Sequence, residues 1–141
     1  MTVEENKAIA RRFVDALNSA TAEGGGDPTP AGLDDLLAPA VAQQVRESVI
    51  PNARAAWGWH RIEITDMVAE GDQVWVRLAT SGGHTGEYRG LPATGRRWTN
   101  RGVSFLRFAD GRIVESSGLF DVLNLVTQLG GSLTPSAPTK Q

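Results

Sequence analysis

The chain has 141 residues and a formal net charge of −2 at pH 7, a length that suits one domain with a real core and a small internal pocket. It contains no cysteine, which excludes a disulfide framework and a thiolate metal site. The slight negative charge, with arginines that alternate with acidic residues between Arg96 and Glu115, lacks the basic stripe of a nucleic-acid-binding protein.

The sequence gives no sign of a membrane segment. No apolar run approaches the ~18 residues of a transmembrane helix, and the segment from Met1 to Phe13 carries charges where a signal peptide needs an apolar stretch. We therefore expect a cytoplasmic protein that binds neither membrane nor nucleic acid. No set of histidine and carboxylate residues has a recognisable metal-ligand spacing, so we expect no metal.

Helices are predicted in the first third of the chain. Apolar residues recur at helical spacing over residues 3–20, and Thr2 with Glu5 forms a capping-box pattern. A glycine- and proline-rich loop follows at 23–30, and then a short helix that Pro39 is expected to end. Residues 41–59 leave open a strand or helix, followed by a short helix or a lid-like loop.

The period changes to two from His60 onward, which predicts a meander of antiparallel strands. The turns are expected at 70–72, 90–95 and 109–111, the last with the Asp-Gly hairpin signal, and Ser81–Gly83 suggests a bulge. Residues 97–108 read as a long strand and 112–120 as the last strand. A short helix over 122–129 then completes a single domain, 1–130, before a tail at 131–141 that we expect to be disordered.

Helices followed by an antiparallel meander predict an α+β fold, with the helices on one face of a curved sheet. The long strand is apolar on both faces: Trp98, Leu106 and Phe108 alternate with Val103 and Phe105. A strand that is apolar on both faces needs cover on both. The helices cover one face, and we expect a second copy of the chain on the other, giving a homodimer through the sheet.

Several motifs in the second half of the chain form a recognisable series. They are His84-Thr-Gly86, Gly-x-Pro-x-Thr-Gly-Arg over 90–96, Arg101–Phe108, Asp110–Glu115, Phe120-Asp121 and Gln128-Leu-Gly130. Together, from about Ile62 to Gly130, they resemble the SnoaL-like polyketide cyclase family. That resemblance implies the cone-shaped α+β fold shared with nuclear transport factor 2 and ketosteroid isomerase.

The resemblance also implies a function. Founding members of the family close a ring by intramolecular aldol condensation, in an apolar pocket, with no cofactor or metal. An aspartate near the end of the last strand acts as acid and base, and Asp121 matches it. The resemblance implies an apolar or aromatic small-molecule substrate, and we expect a cofactor-independent cyclase of the lyase or isomerase class.

Two departures from the family pattern keep other functions open. Many relatives have tryptophan and aspartate where this chain has Ser117 and Gly118, so the mouth of the pocket is expected to differ. One alternative is an epoxide hydrolase, ether cyclase or isomerase on the same fold. The other is a protein that binds a small molecule without catalysis.

Candidate site residues follow from these considerations. Asp121 is the expected base, although an aspartate before a helix also serves as an N-cap. His84 is the second catalytic candidate, as a neutral imidazole or a proton relay, with shaping of the turn as the alternative. Strand alternation allows only one of Asn100 and Arg101 to face the pocket. The expected substrate-binding residues are Arg101, Trp57, Trp59, Asn100, Tyr88, Phe13 and Leu17, whereas His60 is expected to be structural or exposed.

Overall fold

The structure is a computed structural model that describes residues 1–132. Within this part of the chain there are five α-helices and one four-stranded sheet. The elements are α1 (Val3–Ala20), α2 (Leu33–Leu36), α3 (Pro39–Gln44), α4 (Ile50–Ala56), β1 (Trp57–Glu70), β2 (Gln73–His84), β3 (Arg97–Ala109), β4 (Arg112–Phe120) and α5 (Val122–Gln128). The strands are antiparallel and neighbour one another in chain order, which confirms the α+β fold.

Helix α1 has the expected start and buried stripe. The Thr2 hydroxyl accepts from the Glu5 backbone N–H at 3.1 Å, and the Glu5 carboxylate accepts from the Thr2 N–H at 3.3 Å, so two free helix donors are satisfied. Ala10, Phe13 and Ala20 are buried against the sheet. The amphipathic pattern therefore packs α1 against the rest of the core.

Residues 39–56 are helical, so the segment 41–59 that the sequence left open is a helix up to residue 56, and one predicted boundary is corrected. Pro39 does not end a helix but lies in the first turn of α3, where its missing N–H costs nothing. A π-helical turn, Val45–Val49, joins α3 to α4. Strand β1 then begins at Trp57, three residues earlier than the alternation from His60 indicates.

The tight hairpin turn between β3 and β4 follows the sequence signal. Asp110 and Gly111 have φ of 50° and 78°, the left-handed values that a type I′ turn requires. The bulge expected at Ser81–Gly83 is wrong, because β2 pairs without interruption with β3 as far as Gly83 and Arg97. Gly82 instead leaves room for an indole: a Cβ there would lie 2.5 Å from Cζ2 of Trp98.

The two faces of the sheet have different surroundings. Helices cover the inner face, where Val74, Val76, Leu106 and Ile113 are almost fully buried. The outer face exposes Trp75 and Leu119, which are 49% and 70% accessible. The prediction that helices cover only one face is therefore confirmed.

No helix in residues 1–132 is long and apolar enough to cross a membrane. Helix α5 ends at Gln128, and Gly130 and Gly131 follow it; the domain boundary at residue 130 stays a prediction. Most of the expected tail, residues 133–141, lies outside the described residues.

Candidate functional site

A pocket of about 510 Å³ lies between the inner face of the sheet and the helices. Its wall is mainly apolar and comes from α1, the helical segment 41–49, the strands and α5. The apolar lining residues are Phe13, Leu17, Val41, Val45, Val49, Trp57, Ile62, Leu78, Trp98, Phe120, Val122 and Leu125; the polar ones are Gln44, His60, Thr80, Tyr88, Arg89, Asn100, Ser104, Ser116 and Ser117. The predicted binding residues Phe13, Leu17, Trp57, Tyr88 and Asn100 therefore meet in one pocket.

Three aromatic rings form one side of this pocket. The ring centroid of Trp57 lies 4.8 Å from that of Tyr88 and 4.7 Å from that of Trp98. The side chain of Arg89 lies against the Tyr88 ring, and its Nε donates to the Tyr88 hydroxyl at 3.1 Å. Such a wall suits a planar, partly aromatic ligand, because offset and tilted ring contacts add to simple burial.

His60 lies in the pocket wall, whereas the sequence indicated a structural or exposed residue. The ends of α1 and β1 fix its backbone: its N–H donates to the Thr21 carbonyl and its own carbonyl accepts from the Thr21 hydroxyl, both at 2.9 Å. Its ring centroid lies 5.6 Å from that of Trp98. Burial lowers the pKa of His60 from its ordinary 6.5 to about 4, so the ring is neutral near pH 7. His60, Ile62 and Ile64 follow one another at every second position and so share one face of the strand. This spacing could have predicted from the sequence that His60 faces the pocket.

Asn100 faces the pocket and Arg101 does not. Asn100 is 6% accessible and lies on the inner face of β3, two residues after the buried Trp98 on the same face. Arg101 is exposed on the outer face, beside Glu63 and Gln128. β3 pairs with β2 without a bulge over this stretch, so the side chains of Asn100 and Arg101 point to opposite faces of the sheet. The structure thus places Arg101 away from the pocket in which it was expected to bind substrate.

Trp59 also lies on the outer side of the sheet. It borders a shallow groove with Ser81 and Thr99, and the guanidinium of Arg97 lies 5.1 Å from its ring centroid. Trp57 and Trp59 were both expected to bind substrate. The pairing of β1 with β2 shifts between these two residues, and their side chains lie on different sides of the sheet. Only Trp57 lines the pocket.

Asp121 is exposed at the N-cap of α5. Its Oδ1 accepts from the backbone N–H of Asn124 at 3.0 Å, which satisfies a free donor of the helix. Its neighbours Phe120 and Val122 line the pocket, whereas Asp121 is not part of the lining. The carboxylate therefore lies at the edge of the pocket and not in an apolar interior, and its acid–base role stays a prediction.

His84 is fully buried at the end of β2. Its Nδ1 accepts from the backbone N–H of Thr94 at 3.3 Å and lies 2.9 Å from the Thr94 hydroxyl. The ring proton is therefore on Nε2, which has no hydrogen-bond partner among the described residues. His84 packs beside Trp57, at 5.8 Å between ring centroids, but does not line the pocket. It holds the loop after β2, and its catalytic role stays a prediction.

The two positions that depart from the family pattern both border the pocket. Ser117 and Gly118 lie on β4, where the resemblance leads to tryptophan and aspartate. The Phe120 ring occupies the space beside Gly118, since a Cβ there would lie 2.9 Å from Phe120 Cε2. That the mouth of the pocket differs from that of relatives stays a prediction.

Side-chain amides close the two open edges of the sheet next to the pocket. Asn18 of α1 bonds both backbone groups of Ile62, with distances of 2.9 and 2.7 Å. Gln128 of α5 bonds both backbone groups of Thr99, with distances of 3.0 and 2.6 Å. Each amide takes the place of a neighbouring strand, so α1 and α5 are held at fixed positions around the pocket.

The pocket contains no metal-binding cluster. Within residues 1–132, no group of three or more His, Asp or Glu side chains could hold a metal ion. None of the residues that line the pocket carries a carboxylate. The chemistry that this wall can offer consists of hydrogen bonds from neutral groups and from the Arg89 guanidinium, and of contact with aromatic rings.

Comparison with known proteins agrees with the fold. The family model for SnoaL-like polyketide cyclase matches residues 8–129. Aklanonic acid methyl ester cyclase DauD of Streptomyces sp. (strain C5) is 30% identical over 131 residues, which span 86% of this chain and 80% of DauD. Aklanonic acid methyl ester cyclase DnrD of Streptomyces peucetius is 41% identical over 58 residues, or 40% of each chain.

A solved structure shows the same architecture. TsrD from Streptomyces laurentii is 26% identical and aligns with a TM-score of 0.74, over 92% of this chain and 98% of TsrD. The family match extends over nearly the whole described chain and not only over the motifs of its second half. The chain belongs to the SnoaL-like polyketide cyclase family.

Proposed function

We propose that this polyketide cyclase closes a ring by intramolecular aldol-type chemistry, on an apolar or aromatic polyketide bound in the pocket. The observation that carries the proposal is the pocket of about 510 Å³, with its apolar wall and few polar groups. Pockets of roughly 300–1,000 Å³ with this composition are typical of small-molecule sites. Folding a flexible substrate against the Trp57, Tyr88 and Trp98 wall would bring its reacting carbons together, which removes much of the entropic barrier.

The reaction balances without a cofactor. A base takes a proton from a carbon next to a carbonyl group, and the resulting enolate carbon attacks a second carbonyl of the same molecule. One C–C bond forms, and the new alkoxide oxygen takes up a proton. No atom is lost, so the product is an isomer of the substrate and no oxidant or reductant is needed.

Asp121 is the base that we propose. Its Oδ1 is held by the Asn124 N–H, and its Oδ2 has no hydrogen-bond partner within residues 1–132. Phe120 and Val122 on either side of it line the pocket, so a substrate that reaches the mouth meets the free oxygen. Protons between two carbonyl groups are acidic enough for an ordinary carboxylate to remove. His84, which packs beside Trp57, is proposed to hold this wall in place.

The test separates the base from the helix cap. Asparagine is as good an N-cap as aspartate, so Asp121→Asn removes the carboxylate and keeps the cap, whereas Asp121→Ala removes both. Aklanonic acid methyl ester, the compound in the name of DauD, is a suitable first substrate. Chromatography with mass detection would follow an isomer of unchanged mass.

We expect Asp121→Asn to lower kcat by ~10²–10⁴-fold, the usual contribution of general acid–base catalysis, with an unchanged melting temperature. We expect Asp121→Ala to lose about 1 kcal/mol of stability as well. Full turnover by Asp121→Asn would show that Asp121 serves only as the N-cap of α5 and would refute its role as base.

A second candidate is a protein that binds such a molecule without converting it. It is favoured by Ser117 and Gly118, which replace the tryptophan and aspartate that many relatives have. Tight binding of the ester with no isomer formed by the wild-type protein would support it. The geometry does not favour an epoxide hydrolase, because such sites need two carboxylates with an arginine between them, and the pocket lining has no carboxylate.

We also propose that two copies of the chain associate through the outer face of the sheet. Val68, Trp75 and Phe105 form one row across three strands, and Trp75 packs edge-on against Phe105 at 4.7 Å between centroids. Val103 and Leu119 form the next row. A contiguous apolar patch of this kind on a sheet marks an association surface.

A further inference from the structure

The structure fixes the orientation of the Asn100 amide in the pocket wall. We propose that Asn100 donates a hydrogen bond to an enolate oxygen of the substrate, and that Asn124 is the positioning residue that keeps its N–H groups turned to the ligand. The name of the reaction rests on the proposed function, but the donor site rests on the geometry alone.

The orientation follows from a chain of hydrogen bonds. Asn124 Nδ2 lies 3.4 Å from the backbone carbonyl of Thr99, which can only accept, so the atom that faces it must be the nitrogen. The same Nδ2 lies 3.2 Å from Oδ1 of Asn100. Because Asn124 presents a donor there, Asn100 must present its oxygen, and its own NH₂ group points elsewhere.

The NH₂ group of Asn100 is free to bind a ligand. It has no hydrogen-bond partner within residues 1–132, and it is not one of the fully enclosed polar atoms without a partner. Asn100 is 94% buried by its neighbours, with only 6% of its surface accessible, and it lines the pocket. Asn100 also borders a groove beside Arg101 and Gln128. On the pocket side, an amide donor with so little accessible surface can be satisfied by an acceptor of the ligand in place of water.

The surroundings favour an oxygen that gains negative charge. None of the pocket-lining residues carries a carboxylate that would repel such an oxygen. His60 is neutral near pH 7 because burial lowers its pKa to about 4, so it adds no charge, whereas the guanidinium of Arg89 in the lining is a positive charge that favours an anion. A hydrogen bond to a developing oxyanion strengthens as the charge forms, and it is strongest where water is excluded.

Asn124 connects this donor to the proposed base. Its backbone N–H binds Oδ1 of Asp121 at 3.0 Å, while its side chain orients Asn100 at 3.2 Å. One residue in the first turn of α5 thus holds both groups relative to each other. The aldol step needs them together, because proton removal at carbon and charge development at oxygen occur in the same substrate.

The test uses 2-naphthol, whose naphtholate oxygen imitates an enolate and which cannot undergo the aldol reaction. Absorbance titration gives the pKa of the bound naphthol, since the phenol and phenolate spectra differ. Asn100→Asp keeps the shape and the acceptor for Asn124 but replaces the free N–H donors by a carboxylate oxygen. Asn124→Ala leaves Asn100 in place without its anchor. Leu123→Ala changes an exposed side chain of α5 that does not line the pocket, and it serves as the control.

We expect the bound naphthol to have a pKa at least one unit lower in the wild type than in Asn100→Asp. That difference is a tenfold or larger change in preference for naphtholate over naphthol. Asn124→Ala should lie between the two, and Leu123→Ala should equal the wild type. With the ester substrate, Asn124→Ala should lower kcat more than it raises KM.

Equal naphthol pKa values in the wild type and Asn100→Asp would overturn the inference, and so would a wild-type pocket that does not bind 2-naphthol. If Asn100→Asp does not fold, the same comparison with Asn124→Ala decides. A preference for naphtholate in a protein that forms no isomer from the ester would refute the cyclase proposal and leave the donor site standing. Ring closure of the ester by a protein with no preference for naphtholate would support the cyclase proposal and refute the donor site.

Discussion

The buried imidazole of His60 predicts a specific dependence of stability on pH. Burial lowers its pKa in the folded protein to about 4, from 6.5. As the pH falls below 6.5, the unfolded chain takes up a proton at this site and the folded chain does not. The stability contribution of the neutral ring is therefore complete above pH 6.5 and is lost as the pH falls toward 4.

The magnitude follows from the shift. Each unit of pKa difference corresponds to about 1.36 kcal/mol, so lowering the pH from 7 to 4.5 removes about 2–3 kcal/mol of unfolding free energy through His60 alone. That is a large part of the ~5–15 kcal/mol that stabilises a typical domain. The substitution His60→Gln keeps a polar side chain of similar size and removes the titration.

The assay is urea denaturation of both proteins at pH 7, 6, 5 and 4.5, with fluorescence of the tryptophans as the signal. Carboxylates also titrate over this range, but they do so in both proteins and cancel in the difference. We expect the wild type to lose about 2–3 kcal/mol more than His60→Gln between pH 7 and 4.5. Parallel pH dependences of the two proteins would refute a buried, neutral His60.

Two further predictions concern packing and assembly. Gly82→Ala places a Cβ 2.5 Å from the Trp98 indole, and we expect it to lose about 1–3 kcal/mol in urea denaturation, as overpacked cores do; unchanged stability would show that the indole can move aside. Trp75→Glu puts a charge into the apolar outer row of the sheet, and light scattering after size exclusion should change from dimer to monomer. Leu123→Glu, at an exposed apolar site on α5, should remain dimeric, and a wild-type monomer would refute the dimer proposal.

The sequence was sufficient to predict the fold because the signals for it are local. The period of α1, the alternation along β2 and β3, and the Asp110-Gly111 turn each depend on residues close together in the chain. The motifs from His84 to Gly130 then identified the family. The sequence left residues 41–59 open, because short apolar groups fit a helix or a strand equally well and only packing against the sheet selects between them.

What the sequence by itself determined was therefore the order of elements, the strand faces and the family, including the rule that only one of Asn100 and Arg101 can face the pocket. The tertiary structure decided which one, because the unbroken pairing of β3 with β2 sets that parity. It also placed His60 in the pocket wall and buried His84 in a hydrogen bond with Thr94. Asp121 is exposed at the N-cap of α5. These outcomes depend on contacts between residues far apart in the chain, such as Thr21 with His60 and Asn124 with Asn100, and no local pattern encodes them.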